Sequence, residues 1–101
     1  MKTIKLPDNF IGKQDCGKLE AFGGHTIAHG RATRWHWGKD ADGDDVFEIF
    51  RGGENEQLAA SVQRDRQVDA FYALDAGGHP IGSGDLEHVM AELEKYFIRL
   101  A

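Results

Sequence analysis

Between residues 86 and 100 the apolar side chains Leu86, Val89, Met90, Leu93, Phe97 and Leu100 recur at helical spacing, with Glu87, Glu92, Glu94 and Lys95 mostly between them. A helix with one apolar stripe must bury that stripe against another element, so this segment dictates a packed partner layer. Ser83 or Asp85 stands where an N-cap is needed, acids fill the first turn, and Arg99 suits the far end of the helix dipole.

The partner layer is written upstream in period two. Leu58, Ala60 and Val62 alternate with Ala59, Ser61 and Gln63, and Val68, Ala70, Tyr72 and Leu74 alternate with Asp69, Phe71 and Ala73. A tight loop through Arg64, Asp65 and Arg66 pairs Val62 with Val68, Ala60 with Ala70 and Leu58 with Tyr72. VFEIFR at 46–51 and the stretch from about 26 to 37 predict two more strands, joined by the Asp/Gly-rich loop 38–45. A very short strand at 79–81 precedes the helix. Residues 1–25 are ambiguous: Thr3 to Leu6 reads as an edge strand stopped by Pro7, and Lys18 to Phe22 as a short helix ended by Gly23 and Gly24.

The expectation is a single α+β domain over residues 1–101, with an antiparallel sheet of about four strands within 26–75 and a helix over 83–100 on one sheet face. One helix covers one face only. Strand 46–50 is apolar on both, since Val46 and Phe50 point one way and Phe47 and Ile49 the other. The second face, assigned to Phe47, Ile49 and Phe71 or to the alternate set, therefore needs cover, either from the N-terminal segment with Phe10, Ile11, Leu19 and Phe22 or from a second subunit.

Charge narrows the functions. The 101 residues carry 12 basic and 17 acidic side chains, a net −5, which repels phosphate backbones and anionic membranes and argues against nucleic acid as partner. One cysteine cannot form an internal disulfide, no apolar run is long enough for a signal peptide or a membrane span, and the expected setting is the cytoplasm.

Each candidate site has a plain structural reading beside the functional one. RATRWHW, residues 31–37, sets Arg31, Arg34 and His36 among Trp35 and Trp37, the parts of a single-strand nucleic-acid binder or of a packed strand. Cys16, His25, His29 and His36 are the only cluster with transition-metal ligand types. The acids Asp40, Asp42, Asp44 and Asp45 crowd one loop, but an EF-hand frame starting at Asp40 has Asp45 where glycine belongs and Arg51 where glutamate belongs. Gly82 and Gly84 open a helix as in a dinucleotide fingerprint, whereas Glu87 stands at the third glycine. The serines Ser61 and Ser83 lie in no nucleophile elbow, and Asp85, His88 and Glu92 line an outward helix side.

The reading is a small non-catalytic binding or assembly domain without a cofactor, whose partner is itself or another protein. The alternatives are a single-stranded nucleic-acid binder using residues 31–37 and a small metal-dependent enzyme using the Cys16, His25, His29 and His36 segment.

Overall fold

The computed structural model describes residues 11–65 and 67–100. Five antiparallel strands, β1 (Arg34–Lys39), β2 (Asp45–Arg51), β3 (Gln57–Arg64), β4 (Phe71–Asp75) and β5 (Pro80–Gly84), form one sheet in chain order. Two helices, α1 (Lys13–Ala28) and α2 (Leu86–Leu100), pack on it. The α+β class and the C-terminal helix stand as expected, with five strands where about four were expected. The edge strand foreseen at Thr3 to Leu6 lies outside the described residues.

The entrance to α2 is fixed by Asp85, whose Oδ1 accepts the His88 amide at 2.8 Å. Leu86, Val89, Leu93 and Phe97 are buried along one stripe, against β4 and β5. Gly82 permits this approach, because a Cβ there would lie 2.9 Å from the Glu92 Cβ.

The N-terminal half departs from expectation. Gly23 and Gly24 do not end a helix; α1 runs through both. A methyl group at Gly23 would stand 2.6 Å from Trp35 Cδ1 and 3.0 Å from Phe47 Cζ, so this glycine is where α1 meets the sheet, and close packing outweighs its poor helix propensity. The helix ends instead at Gly30, φ +72°, where the Gly30 amide donates to the Ile27 carbonyl at 2.9 Å and the Arg31 amide to the Thr26 carbonyl at 2.9 Å, a Schellman cap. The strand expected from about 26 therefore begins only at Arg34.

The β3–β4 hairpin is also re-registered. Arg64 pairs with Phe71, Val62 with Ala73 and Ala60 with Asp75, so the chain turns through residues 65–70 rather than three residues. An odd shift exchanges the two faces of β4. Phe71 goes inward at 6% exposure while Val68, in the turn, is 58% exposed; the larger aromatic takes the buried position, the more favourable use of apolar area.

Both helices lie on the same sheet face. Leu19 of α1 shares one core with Phe47, Ile49, Val62, Phe71, Leu93 and Phe97, and Lys18 reaches Glu87 at 2.6 Å across the helix pair. Phe47, Ile49 and Phe71, candidates for an interface, are thus the floor of the chain's own core. Among the described residues, α1 adds to the cover of α2 and no helix lies on the opposite face: α1 supplies the second half of one layer because a single helix is too narrow for five strands.

Candidate functional site

The face away from the helices is carried by the other phase of each strand, and Val46 is buried even there. Arg34 and His36 come from β1, Val46, Glu48 and Phe50 from β2, Ser61 and Gln63 from β3, and Tyr72 and Leu74 from β4. Phe50, Tyr72 and Leu74 are half-buried and stand apart from the core beneath the helices.

Several of its polar groups are paired within the chain. His36 Nε2 lies 2.6 Å from Glu48 Oε1. Gly38 makes room for that carboxylate, since a Cβ there would sit 2.8 Å from Oε1. The Arg34 guanidinium stacks 4.2 Å above the Phe50 ring and donates to Glu56 Oε1 from Nε at 2.9 Å and Nη2 at 2.7 Å. Thr33 completes this group with a 2.9 Å bond to Glu56 Oε2, and Arg34 followed by Thr33 holds the Glu56 carboxyl below its ordinary range. Gln63 donates to Asp40 at 2.8 Å.

The chemistry available is limited by order. His36, Glu48 and Ser61 lie side by side on successive strands, the three residue types of a hydrolytic triad. The carboxylate stands in the middle, however, where the base would have to be to take a proton from Ser61.

The other predicted sites disperse. Trp35 and Trp37 turn toward the helix layer, stacked on Phe47 with centroids 5.5 and 4.9 Å apart, and the Trp37 indole donates to Glu20 at 2.7 Å. They are separated by the sheet from Arg34 and His36, while Arg31 lies in the helix cap, so the strand offers no shared aromatic–arginine surface. Of the metal set, His25 and His29 alone are neighbours, with rings 4.1 Å apart at the exposed end of α1. His36 is on the far side of the sheet. Cys16, near the start of α1, donates to the Ile11 carbonyl at 3.2 Å, and burial first, then Asp45, Glu20 and Asp15, pushes its thiol up, away from the thiolate a metal needs.

Asp40, Asp42 and Asp44 place ligand atoms within 4.8 Å of one another, the one such three-residue cluster among the described residues. Asp40 Oδ1 already accepts the amides of Asp42 and Asp44 at 2.9 and 3.0 Å, with Gly43 at φ +84° closing the turn, so the loop's own hydrogen bonding employs that carboxylate. Gly82 and Gly84 belong to a strand antiparallel to β4, which excludes a βαβ dinucleotide unit there. Among the described residues no helix is long and apolar enough to cross a membrane.

Sequence reasoning missed the pairing of His36 with Glu48 and a cleft around Arg51 and Tyr96. Glu48 carried the signal for the face: in VFEIF it shares a phase with Val46 and Phe50, marking that phase as the outer one. Nothing local announces the cleft, since Arg51 and Tyr96 are brought together from the ends of β2 and α2. Set against protein-family models, curated proteins and solved structures, the chain matches none.

The perturbed groups define a pH profile. Glu56 beside Arg34, Asp75 accepting the His79 and Gly77 amides, and Glu87 beside Lys18 all have lowered carboxyl pKa values. The folded chain holds fewer protons there than the unfolded one, so their stabilisation is complete above the ordinary carboxylate range and is lost as pH falls through and below about 4. Burial raises Tyr72, Tyr96 and Cys16; their contribution is complete below the unfolded values and is lost as pH rises past about 9 to 10. Calorimetry across pH is expected to give a melting temperature that is flat from about pH 5 to 8 and declines on both sides, gently because the three carboxylates are solvent-screened.

Proposed function

We propose that this chain is a small non-catalytic assembly domain that pairs with a second copy of itself through the sheet face away from its two helices. The observation that carries the reading is the placement of both helices on one side, with half-buried Phe50, Tyr72 and Leu74 on the other. A partner of opposite charge would need an unbalanced patch to recognise. The hydrogen-bonded pairs Arg34 with Glu56 and His36 with Glu48 occupy the polar groups at one end of this face, and a two-fold axis can set its apolar middle against its own copy while keeping the acidic 40–44 loops apart.

Size agrees with a modest interface. Five strands about 4.8 Å apart and roughly 20 Å long present about 500 Å² each, so two copies bury about 1,000 Å² in all, near the lower limit for a specific association. The dimer is therefore reversible rather than obligate. The single half-buried cysteine, kept as a thiol, suits a reducing compartment such as the cytoplasm.

Phe50→Asp and Leu74→Asp are expected to sediment as folded monomers while Val68→Asp, in the exposed 65–70 turn, sediments as the parent does. Variants that leave the sedimentation coefficient unchanged would remove this face as the interface.

A further inference from the structure

The end of the molecule opposite the acidic 40–44 loop holds a cleft of about 460 Å³, within the size range of small-molecule sites. The last turns of α2, the β2–β3 connection and the bulge where β3 crosses from Leu58 to Ala60 line it, and it is open to solvent. Leu58 and Leu100 supply apolar wall, and Arg51, Asn55, Gln57 and Tyr96 supply polar groups.

Arg51 is the informative member. Five cations are paired with carboxylates: Lys18 with Glu87, Arg34 with Glu56, Lys39 with Asp45, Arg64 with Asp69 and Lys95 with Glu92. Arg51 has no carboxylate partner among the described residues, and its guanidinium reaches only the Leu100 carbonyl, at 3.4 Å. Closing the end of a helix in this way occupies one of its five donors. Of the neighbouring acids, Glu56 is committed to Arg34 and Thr33 and Asp75 to the Gly77 and His79 amides at 2.9 Å each, while Glu54 of the β2–β3 connection is not among the lining residues. The Tyr96 hydroxyl donates to the Ala59 carbonyl at 3.2 Å, which fixes the ring as a wall. The Asn55 and Gln57 side-chain amides, both on exposed residues, add further donors at the mouth.

We propose that this cleft binds a small organic carboxylate with an apolar body, the carboxylate held by Arg51 in a charge-assisted pair and the body lying against Leu58 and Leu100. A cation in a cleft with no acidic side chain among its described lining residues selects an anion, while the apolar wall distinguishes such a ligand from a bare inorganic one. This assignment is independent of the sheet-face pairing.

The test is a titration of the full chain followed by amide chemical shifts, with benzoate, benzyl alcohol and inorganic phosphate as probes. Benzoate is expected to move the Gly52, Asn55, Leu58 and Ala76 amides together, with saturation in the millimolar range, whereas the other two bind at least about tenfold more weakly. R51Q is expected to lower benzoate affinity by at least about tenfold, with R51K in between because lysine cannot offer the planar fork. Absence of these shifts at about 20 mM benzoate, or equal shifts with benzyl alcohol, overturns the proposal. Phosphate binding as tightly as benzoate overturns the ligand class. Should R51Q fail to fold, the probe comparison on the parent chain and on R51K decides alone.

Discussion

Truncation of Phe47 to alanine is expected to lower the melting temperature by about 15 to 30 °C, the largest effect of any single side chain discussed, since burial of an aromatic of this kind is worth about 3 to 5 kcal/mol. Phe47 is fully buried, beneath Gly23 of α1 and against both Trp35 and Trp37, so its loss opens a cavity at the junction of α1 with β1 and β2. Against the total of about 5 to 15 kcal/mol expected for a chain of this length, the variant is left only marginally folded. Phe50→Ala removes the same side chain three positions along but on the other face, where the ring is half-buried under Arg34, and costs the monomer about 1 kcal/mol. Calorimetry of the two at one protein concentration makes the comparison; equal losses would mean that the assignment of faces is wrong.

The second large effect has opposite signs at adjacent residues. Alanine is a better helix former than glycine by about 1 kcal/mol, so both Gly23→Ala and Gly24→Ala would stabilise an isolated helix. In α1 the methyl at Gly24 meets nothing within 4 Å, whereas the one at Gly23 meets Trp35 at 2.6 and 2.9 Å and Phe47 at 3.0 Å. Gly24→Ala is expected to raise the melting temperature by about 3 to 6 °C. Gly23→Ala is expected to lower it by about 5 to 15 °C, because overpacking toward the upper part of the usual range, about 2 to 3 kcal/mol, exceeds the propensity gain by about 1 to 2 kcal/mol. Thermal melts monitored by circular dichroism read both signs directly, and stabilisation by both substitutions would mean that α1 does not approach the sheet at Gly23.

The same glycines explain how much of the fold was legible in the residues. The α2 pattern was unambiguous because Leu86, Val89, Leu93 and Phe97 combine one apolar stripe with a capping Asp85. α1 was hidden: its buried positions are Leu19, Gly23 and Thr26, two of which carry no apolar signal, and the glycine that marks a contact reads locally as a helix stop. Thr26 is accommodated because its hydroxyl donates to the Phe22 carbonyl at 2.9 Å. The β3–β4 turn was misread for a related reason. Val68 and Ala70 continue an alternating pattern that local periodicity cannot separate from a strand, and the choice was made by the room for Phe71 under the helices.

Of the candidate sites, the Trp/Arg strand is divided by the period-two alternation of β1, with the tryptophans on one face and Arg34 and His36 on the other. The histidines and Cys16 were grouped by proximity in sequence, but a sixteen-residue helix puts Cys16 and His29 near opposite ends, about 20 Å apart along the axis. Glu48, the one charged residue inside VFEIF, carries the signal for an outer phase with Val46 and Phe50, which the sequence reading that offered Phe47, Ile49 and Phe71 or the alternate set for the second face passed over. What could not follow from local pattern is that α1 would join α2 instead of covering the other side, since this depends on α1 fitting against Trp35 and Phe47.

The pairing of two copies through the sheet face away from the helices is tested most directly by sedimentation equilibrium of the parent chain over a dilution series. The account predicts a mass approaching twice the 11.2 kDa of one chain at high concentration and falling toward a single chain on dilution, with a midpoint in the micromolar range expected for about 1,000 Å² of interface. A mass of one chain at every concentration up to about 1 mM would contradict it, since an interface weaker than about −4 kcal/mol could not define an assembly domain.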